Sequence, residues 1–224
     1  MKILSRGVLA AIMILISASV IHAQDLSKYR NFSFGMSLAS VSKQIDRMPI
    51  EAEVMHQQPA LIQELTWYPP QPYGSSRPAE PVEKVLFSFN NGELYRMLVT
   101  YDGSAIKGLT DEDMIRVVSA KYGVATRPVA DVNFPTNPSY RASEKVVARW
   151  EDSQYSFNLF RPWSSNTFAI VMFDKRLDAQ AGASIAESVL LEQQQAPQRE
   201  AERVKKVTGD LEGERQKNIR TLRP

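Results

Sequence analysis

The stretch Glu83-Lys84-Val85-Leu86-Phe87-Ser88-Phe89-Asn90-Asn91-Gly92-Glu93-Leu94-Tyr95-Arg96-Met97-Leu98-Val99-Thr100-Tyr101-Asp102 decides the fold. Val85, Phe87 and Phe89 alternate with other residues on one arm, and Tyr95, Met97, Val99 and Tyr101 on the other. A period of two marks strands with one buried face, and Asn90-Asn91-Gly92 supplies residues that tolerate the positive φ of a tight hairpin turn. Two registers are open. A three-residue loop pairs Phe87 with Tyr95 and Val85 with Met97. A two-residue loop at Asn91-Gly92 pairs Phe89 with Leu94. The first places both apolar rows on one face and is the expectation.

On the N-terminal side, Leu61 to Tyr68 reads as a strand. A stretch with Pro69, Pro70, Pro72, Pro78 and Pro81 follows it. Further back, Leu38, Val41, Ile45 and Met48 form one apolar stripe, so Ser37 to Met48 reads as a helix capped by Ser37 and stopped by Pro49. Phe32 to Gly35 reads as a short strand before it. On the C-terminal side, Thr110 to Tyr122 is a helix. Thr110 is its cap, and Asp111, Glu112 and Asp113 crowd the first turn, where the helix dipole favours anions. Met114, Ile115, Val118 and Tyr122 make its buried stripe, and Gly123 ends it. Val124 to Lys145 carries three prolines and little periodicity, and reads as a linker. Strands are expected at Val146 to Glu151, Tyr155 to Phe160 and Thr167 to Asp174. A helix follows over Asp178 to Leu191, with Pro197 as its limit.

The resulting expectation is an α+β chain in which helices pack on antiparallel three-stranded sheets. It holds either two tandem modules or one continuous two-layer domain, with a charged C-terminal helix or tail. The boundaries are a signal peptide at 1–23, a first module at 24–123, a linker at 124–145, a second module at 146–191 and the tail at 192–224. Each half runs from a helix to a strand bearing a tryptophan (Trp67, then Trp150) and two further strands, which suggests an internal repeat. The last segment, from Gln198, holds 8 basic and 5 acidic side chains in 27 residues, too little apolar surface for its own core.

Composition narrows the chemistry. The chain has 224 residues, 27 Lys+Arg against 25 Asp+Glu, two His and no Cys. Lys2 and Arg6 precede an apolar run from Gly7 to Ile16, and the segment closes on Ala23. That is the order of an export signal, although Ile21 is an imperfect residue three positions before the cut. The run is shorter than the roughly 20 residues needed to cross a bilayer, so no stable membrane anchor is expected. Cleavage after Ala23 leaves equal numbers of basic and acidic side chains, and His56 as the single imidazole. Disulfides, Cys nucleophiles and Cys-ligated metals are excluded. A multi-His metal site within one chain is excluded too, and the strongly basic signature of a nucleic-acid binder is missing.

The run Phe34-Gly35-Met36-Ser37, a helix, Thr66-Trp67-Tyr68 and then Val85 to Leu94 resembles the SmpA/OmlA (BamE-like) family, in one copy or in tandem. The resemblance covers about Phe32 to Tyr101, and less clearly Thr110 to Asp174. It implies a small exported domain with a three-stranded sheet. The chain departs from the family in having no lipid-bearing Cys, so outer-membrane anchoring and a role in β-barrel assembly do not carry over. The whole chain is also similar to exported bacterial proteins of unassigned activity.

The candidate sites follow from this. His56 reads as a solvated loop histidine. Asp111, Glu112 and Asp113 diverge around the helix and serve its first turn. No catalytic constellation, metal site or cofactor motif is present, so the expected function is non-catalytic: a periplasmic or secreted interaction or structural factor with a protein partner in the cell envelope. Its expected partner-binding residues are Trp67, Tyr68, Tyr73 and Trp163, aromatics set among prolines. The alternatives are a hydrolase of an envelope polymer using carboxylates such as Glu64, Asp102 and Glu151, or a small-ligand module using the sheet face.

Overall fold

The tip of the decisive hairpin is a two-residue turn. Asn91 and Gly92 take φ of 50° and 80°, the paired positive angles of a type I′ turn, so Asn90 faces Glu93 and Phe89 faces Leu94. The expected three-residue loop is therefore corrected. Tyr95 is an extra residue between the Phe89–Leu94 and Ser88–Arg96 pairs. This bulge restores the alternation, so that Phe87 faces Met97 and Val85 faces Val99. Leu61 locks the tip by donating its N–H to Asn91 Oδ1 at 2.9 Å.

The computed structural model describes residues 25–70, 81–134, 143–163, 165 and 167–222. The expected export signal lies outside them. A two-stranded ribbon, β1 (Lys28–Tyr29) with β2 (Phe32–Ser33), precedes helix α1 (Leu38–Gln44). Ser37 caps α1 by accepting the Ser40 N–H at 3.2 Å. Strands β3 (Glu53–His56), β4 (Ile62–Trp67), β5 (Val82–Asn90) and β6 (Glu93–Tyr101) form one antiparallel meander. Helix α2 (Asp111–Tyr122) comes next, closed at its start by a reciprocal Thr110–Asp113 capping box. A second meander runs through β7 (Asp131–Asn133), β8 (Ser143–Glu151), β9 (Tyr155–Phe160) and β10 (Ala169–Asp174). The chain then enters helix α3 (Lys175–Thr221).

The meanders merge. Strand β10 pairs antiparallel with β6, with Leu98 opposite Val171 and Val99 opposite Ile170. The result is one eight-stranded sheet in the order β3-β4-β5-β6-β10-β9-β8-β7. This overturns the expectation of helices on three-stranded sheets. The reason is legible in the two joining strands. Met97, Leu98, Val99, Ile170, Val171 and Met172 are buried whichever face they point to. A three-stranded module would leave β6 or β10 as an apolar edge with open backbone groups. Pairing them moves the edges to β3 and β7, which are only 4 and 3 residues long. Strand β7 lies inside the stretch read as a linker.

One face of the sheet carries Phe87, Phe89, Met97, Phe157 and Met172 against Val41 and Ile45 near α1 and Met114 and Val118 of α2. The other face has two smaller clusters. Ile62 and Tyr95 meet Leu177, Ala181 and Ile185 of α3, and Leu98, Val171 and Phe160 meet Val132 and Phe134. The bulge at Tyr95 thus turns its ring toward α3, and burial there pushes its hydroxyl up to about 12.

Helix α3 differs most from expectation. It starts at the Asp174 cap and runs for 47 residues through Pro197, instead of ending before it. Proline removes one hydrogen bond from the ladder and need not end the helix, and here the ladder resumes beyond it through residues that are all exposed. Only Leu177, Ala181, Ile185 and Ser188 of α3 are buried. Between them, Gly182 occupies a position where an added Cβ would meet nothing within 4 Å. Gly182→Ala is therefore expected to stabilise the fold by about 0.5–1 kcal/mol, read as a higher urea midpoint at unchanged slope.

Candidate functional site

In an antiparallel sheet, alternate strand ends share one edge. Trp67 ends β4 beside Val85, Val82 opens β5 beside Tyr101, and Thr100, Ala169 and Phe160 line up across β6, β10 and β9. Tyr68, the β6–α2 connection and the β9–β10 connection therefore stand at the same end of the sheet. Tyr68 is 58% exposed and Trp163, in the β9–β10 connection, is 59% exposed. Four strand spacings separate β4 from β9, which sets these two aromatics roughly 20 Å apart. A cleft of about 630 Å³ lies at that end, lined by Glu83, Ile106, Lys107, Leu109, Arg161 and Phe168 among others.

Each wall is held by local chemistry. Asp102 accepts the N–H groups of Ser104 (2.8 Å) and Ala105 (3.0 Å) and the Ser104 hydroxyl. The Ser104 hydroxyl is the main reason its carboxyl lies below the ordinary carboxylate value. This pins the turn that carries Ile106 and Lys107, and Gly108, at φ 85°, redirects the chain toward Leu109 and the α2 cap. Arg161 donates through Nε to Asp111 Oδ1 at 2.7 Å and lies over the Phe168 ring at 3.8 Å. Its guanidinium is thereby held at the cleft wall. Thr167 donates its hydroxyl to the Tyr101 carbonyl at 2.6 Å. The Trp163 backbone N–H donates to Glu144 Oε1 at 3.3 Å, which fixes the main chain while the indole faces outward.

The sequence-predicted residues divide. Tyr68 and Trp163 come to the same end. Trp67 is half-buried and packs edge-on against Phe32, with ring centroids 5.9 Å apart at 63°, so it belongs to the helix-side core. Tyr73 lies outside the described residues. The three acidic residues of α2 have separate tasks. Asp113 closes the capping box, Asp111 holds Arg161, and Glu112 approaches Arg127 at 3.4 Å.

His56 is not a solvated loop residue. It ends β3 with its side chain only 14% exposed, and Nδ1 lies 3.2 Å from Glu192 Oε1 of α3. Beside it the Ser188 hydroxyl donates to the Gln58 carbonyl, so this pair of contacts fastens α3 to the β3 edge.

The three carboxylates weighed for hydrolysis do not converge. Glu64 accepts the Ser88 hydroxyl at 3.2 Å on the α3 side of the sheet. Asp102 caps its turn, and Glu151 pairs with Lys175 at 2.8 Å at the other end. Glu64 and Glu151 sit on strands five spacings apart, roughly 24 Å, well beyond the roughly 5–10 Å of a working pair. Among the described residues, no three His, Asp or Glu side chains stand close enough to hold a metal ion.

Sequence reasoning missed Arg96. It extends from the bulged strand on the α3 side and reaches Asp178 Oδ1 through Nε (2.7 Å) and Nη2 (2.6 Å). Its Nη1 donates to the Asn133 carbonyl at 2.5 Å, and its guanidinium lies 5.4 Å from the Phe173 ring centroid. One side chain thereby ties β6, β7, β10 and α3. No signal could have found it, because its partners are 37 and 82 residues away. The chain matches no known family profile, no curated protein and no solved structure. The likeness to SmpA/OmlA rests on the residues that suggested it.

Proposed function

We propose that the protein is an exported, non-catalytic interaction protein of the cell envelope that grips a protein partner with the loop end of its sheet. The observation that carries this is the placement of Tyr68 and Trp163, both largely exposed, at one end of the sheet beside a cleft walled by Arg161 and Leu109. Trp, Tyr and Arg are the side chains that concentrate binding energy at interfaces. Here the Trp163 backbone and the Arg161 guanidinium are already anchored, so little conformational freedom is lost on binding. Export is supported by Lys2 and Arg6 ahead of the apolar run and by Ala23. No described helix is long and apolar enough to cross a membrane.

A second reading is favoured by one feature. A groove of about 600 Å³ opens between α3 and β7, with Tyr95, Phe173, Val132 and Ile185 as its apolar walls. That is the size and character of a small-ligand site.

A photo-crosslinking residue placed at 163, with a control at the exposed Gln154 of the opposite-end β8–β9 turn, discriminates the two. Discrete protein adducts are expected in envelope preparations from position 163 alone, weakened by Tyr68→Ala. Equal labelling at both positions defeats the loop-end reading. An absence of adducts at both positions defeats it too and leaves the ligand groove.

A further inference from the structure

Helix α3 leaves the body after Gln195, and every described residue from 196 to 222 is exposed. That arm is about 39 Å long. A lone helix with no tertiary packing is marginal in water, so the pattern on its surface matters. At 100° per residue, Pro197, Val204, Val207, Leu211 and Leu222 fall on one stripe. Glu200, Arg215 and Asn218 interrupt it.

We infer that this arm pairs antiparallel with the same arm of a second copy, about a twofold axis between Val207 and Thr208. In that register Val204 meets Leu211 of the second copy, and Glu200 meets Arg215 of the second copy. The two charges that break the stripe thus answer each other. On one flank Arg203 comes near Glu214 of the second copy. Twofold symmetry repeats every one of these contacts, and none of these pairs brings like charges together.

The length fits as well. The axis lies near the middle of the projecting part of α3, so the two arms overlap along nearly their whole exposed length with the two bodies at opposite ends. The intrahelical contacts preset the charges. Arg203 holds Glu200 with 2.6 and 2.8 Å bonds, and Arg215 holds Glu212 at 3.0 Å. Each couple can therefore join its counterpart as a four-charge network. The inference is independent of what the loop end binds.

Sedimentation equilibrium of the purified protein from about 5 to about 200 µM tests it. Wild type is expected to show a reversible dimer. Glu200→Arg alone sets Arg against Arg, and Arg215→Glu alone sets Glu against Glu, so each is expected to self-associate at least about tenfold more weakly. An equimolar mixture of the two variants restores opposite charges at both contacts and is expected to form a heterodimer as tight as the wild-type dimer. Mere loss of helix in either variant would not produce that rescue, and neither would a parallel arrangement. A wild type that stays monomeric throughout, single variants that dimerise like wild type, or a mixture that stays monomeric each overturns the inference.

Discussion

Replacing Trp150 with alanine is expected to cost about 3–5 kcal/mol of folding stability, the largest loss of any tryptophan in the chain. Its side chain is 1% exposed and fills the helix-side core among Phe157, Ala148 and Val118. Its indole Nε1–H also donates to the Gly123 carbonyl at 2.9 Å and the Ser119 hydroxyl at 3.2 Å, which fastens the end of α2 to β8. Alanine leaves a cavity and strips a partner from the helix-terminal carbonyl. Trp150→Phe keeps most of the volume and is expected to lose about 1–2 kcal/mol, the share of the hydrogen bonds. Trp67→Ala is expected to fall below Trp150→Ala, because Trp67 is only half-buried. Urea titrations with matched slopes measure all three. A loss under about 1 kcal/mol for Trp150→Ala would contradict the assigned packing.

The second large effect belongs to Arg96→Met. Removing the guanidinium leaves the Asp178 carboxylate inside the sheet–α3 interface without its ion-pair partner, and the expected loss is about 3 kcal/mol at pH 8. The effect depends on pH in a definite direction. Burial already holds the Asp178 carboxyl above its ordinary value of 3.8, despite the opposing pull of Arg96. A carboxyl raised in the folded state binds its proton more tightly folded than unfolded. Its stabilising contribution is complete below the unfolded value and is lost as pH rises through the raised folded value. Without Arg96 that folded value climbs further, so the variant is expected to recover a good part of its deficit near pH 4.

Other carboxylates act in the opposite sense. Asp25, Asp102 and Asp113 lie below their ordinary values and lose their contribution on acidification. The quantity to measure is therefore the difference between Arg96→Met and wild type at the two pH values. A difference that stays constant, or grows toward pH 4, would show that the Asp178 charge is not what Arg96 compensates. Arg96→Lys keeps the charge but loses the fork to Asp178 and Asn133, and is expected to retain the pH profile at lower stability.

The expectations for α2 and β9 held, while α1 ends at Gln44 instead of Met48 and α3 starts at the Asp174 cap, four residues before the expected Asp178. The α2 bounds, the Thr110 cap and the acidic first turn follow from side chains three or four residues apart. Strand β9 matches its expected limits, because its alternation and flanking turn residues are contiguous. The hairpin itself was legible but its register was not. Both loop lengths satisfy the alternation, and the choice rests on whether Tyr95 bulges out, which in turn rests on a pocket built by Leu177, Ala181 and Ile185 far along the chain. For the candidate site, Tyr68 and Trp163 stood out as aromatics set among prolines. That Asp111 holds Arg161 across 50 residues could not be read from spacing.

By itself, then, the amino-acid sequence determined the Ser37 and Thr110 caps, the two meanders' central strands, the polar C-terminal segment and the lack of any cysteine chemistry. All of these depend on residue type and on contacts within a few positions. The tertiary structure alone decided that β6 and β10 join to make one eight-stranded sheet, that α3 continues past Pro197, and that Tyr68 and Trp163 share an end. Lateral strand order is set by which apolar edges must be covered, and where a helix ends by more than the position of one proline. Both are properties of the packed chain and leave no periodic trace in any one segment.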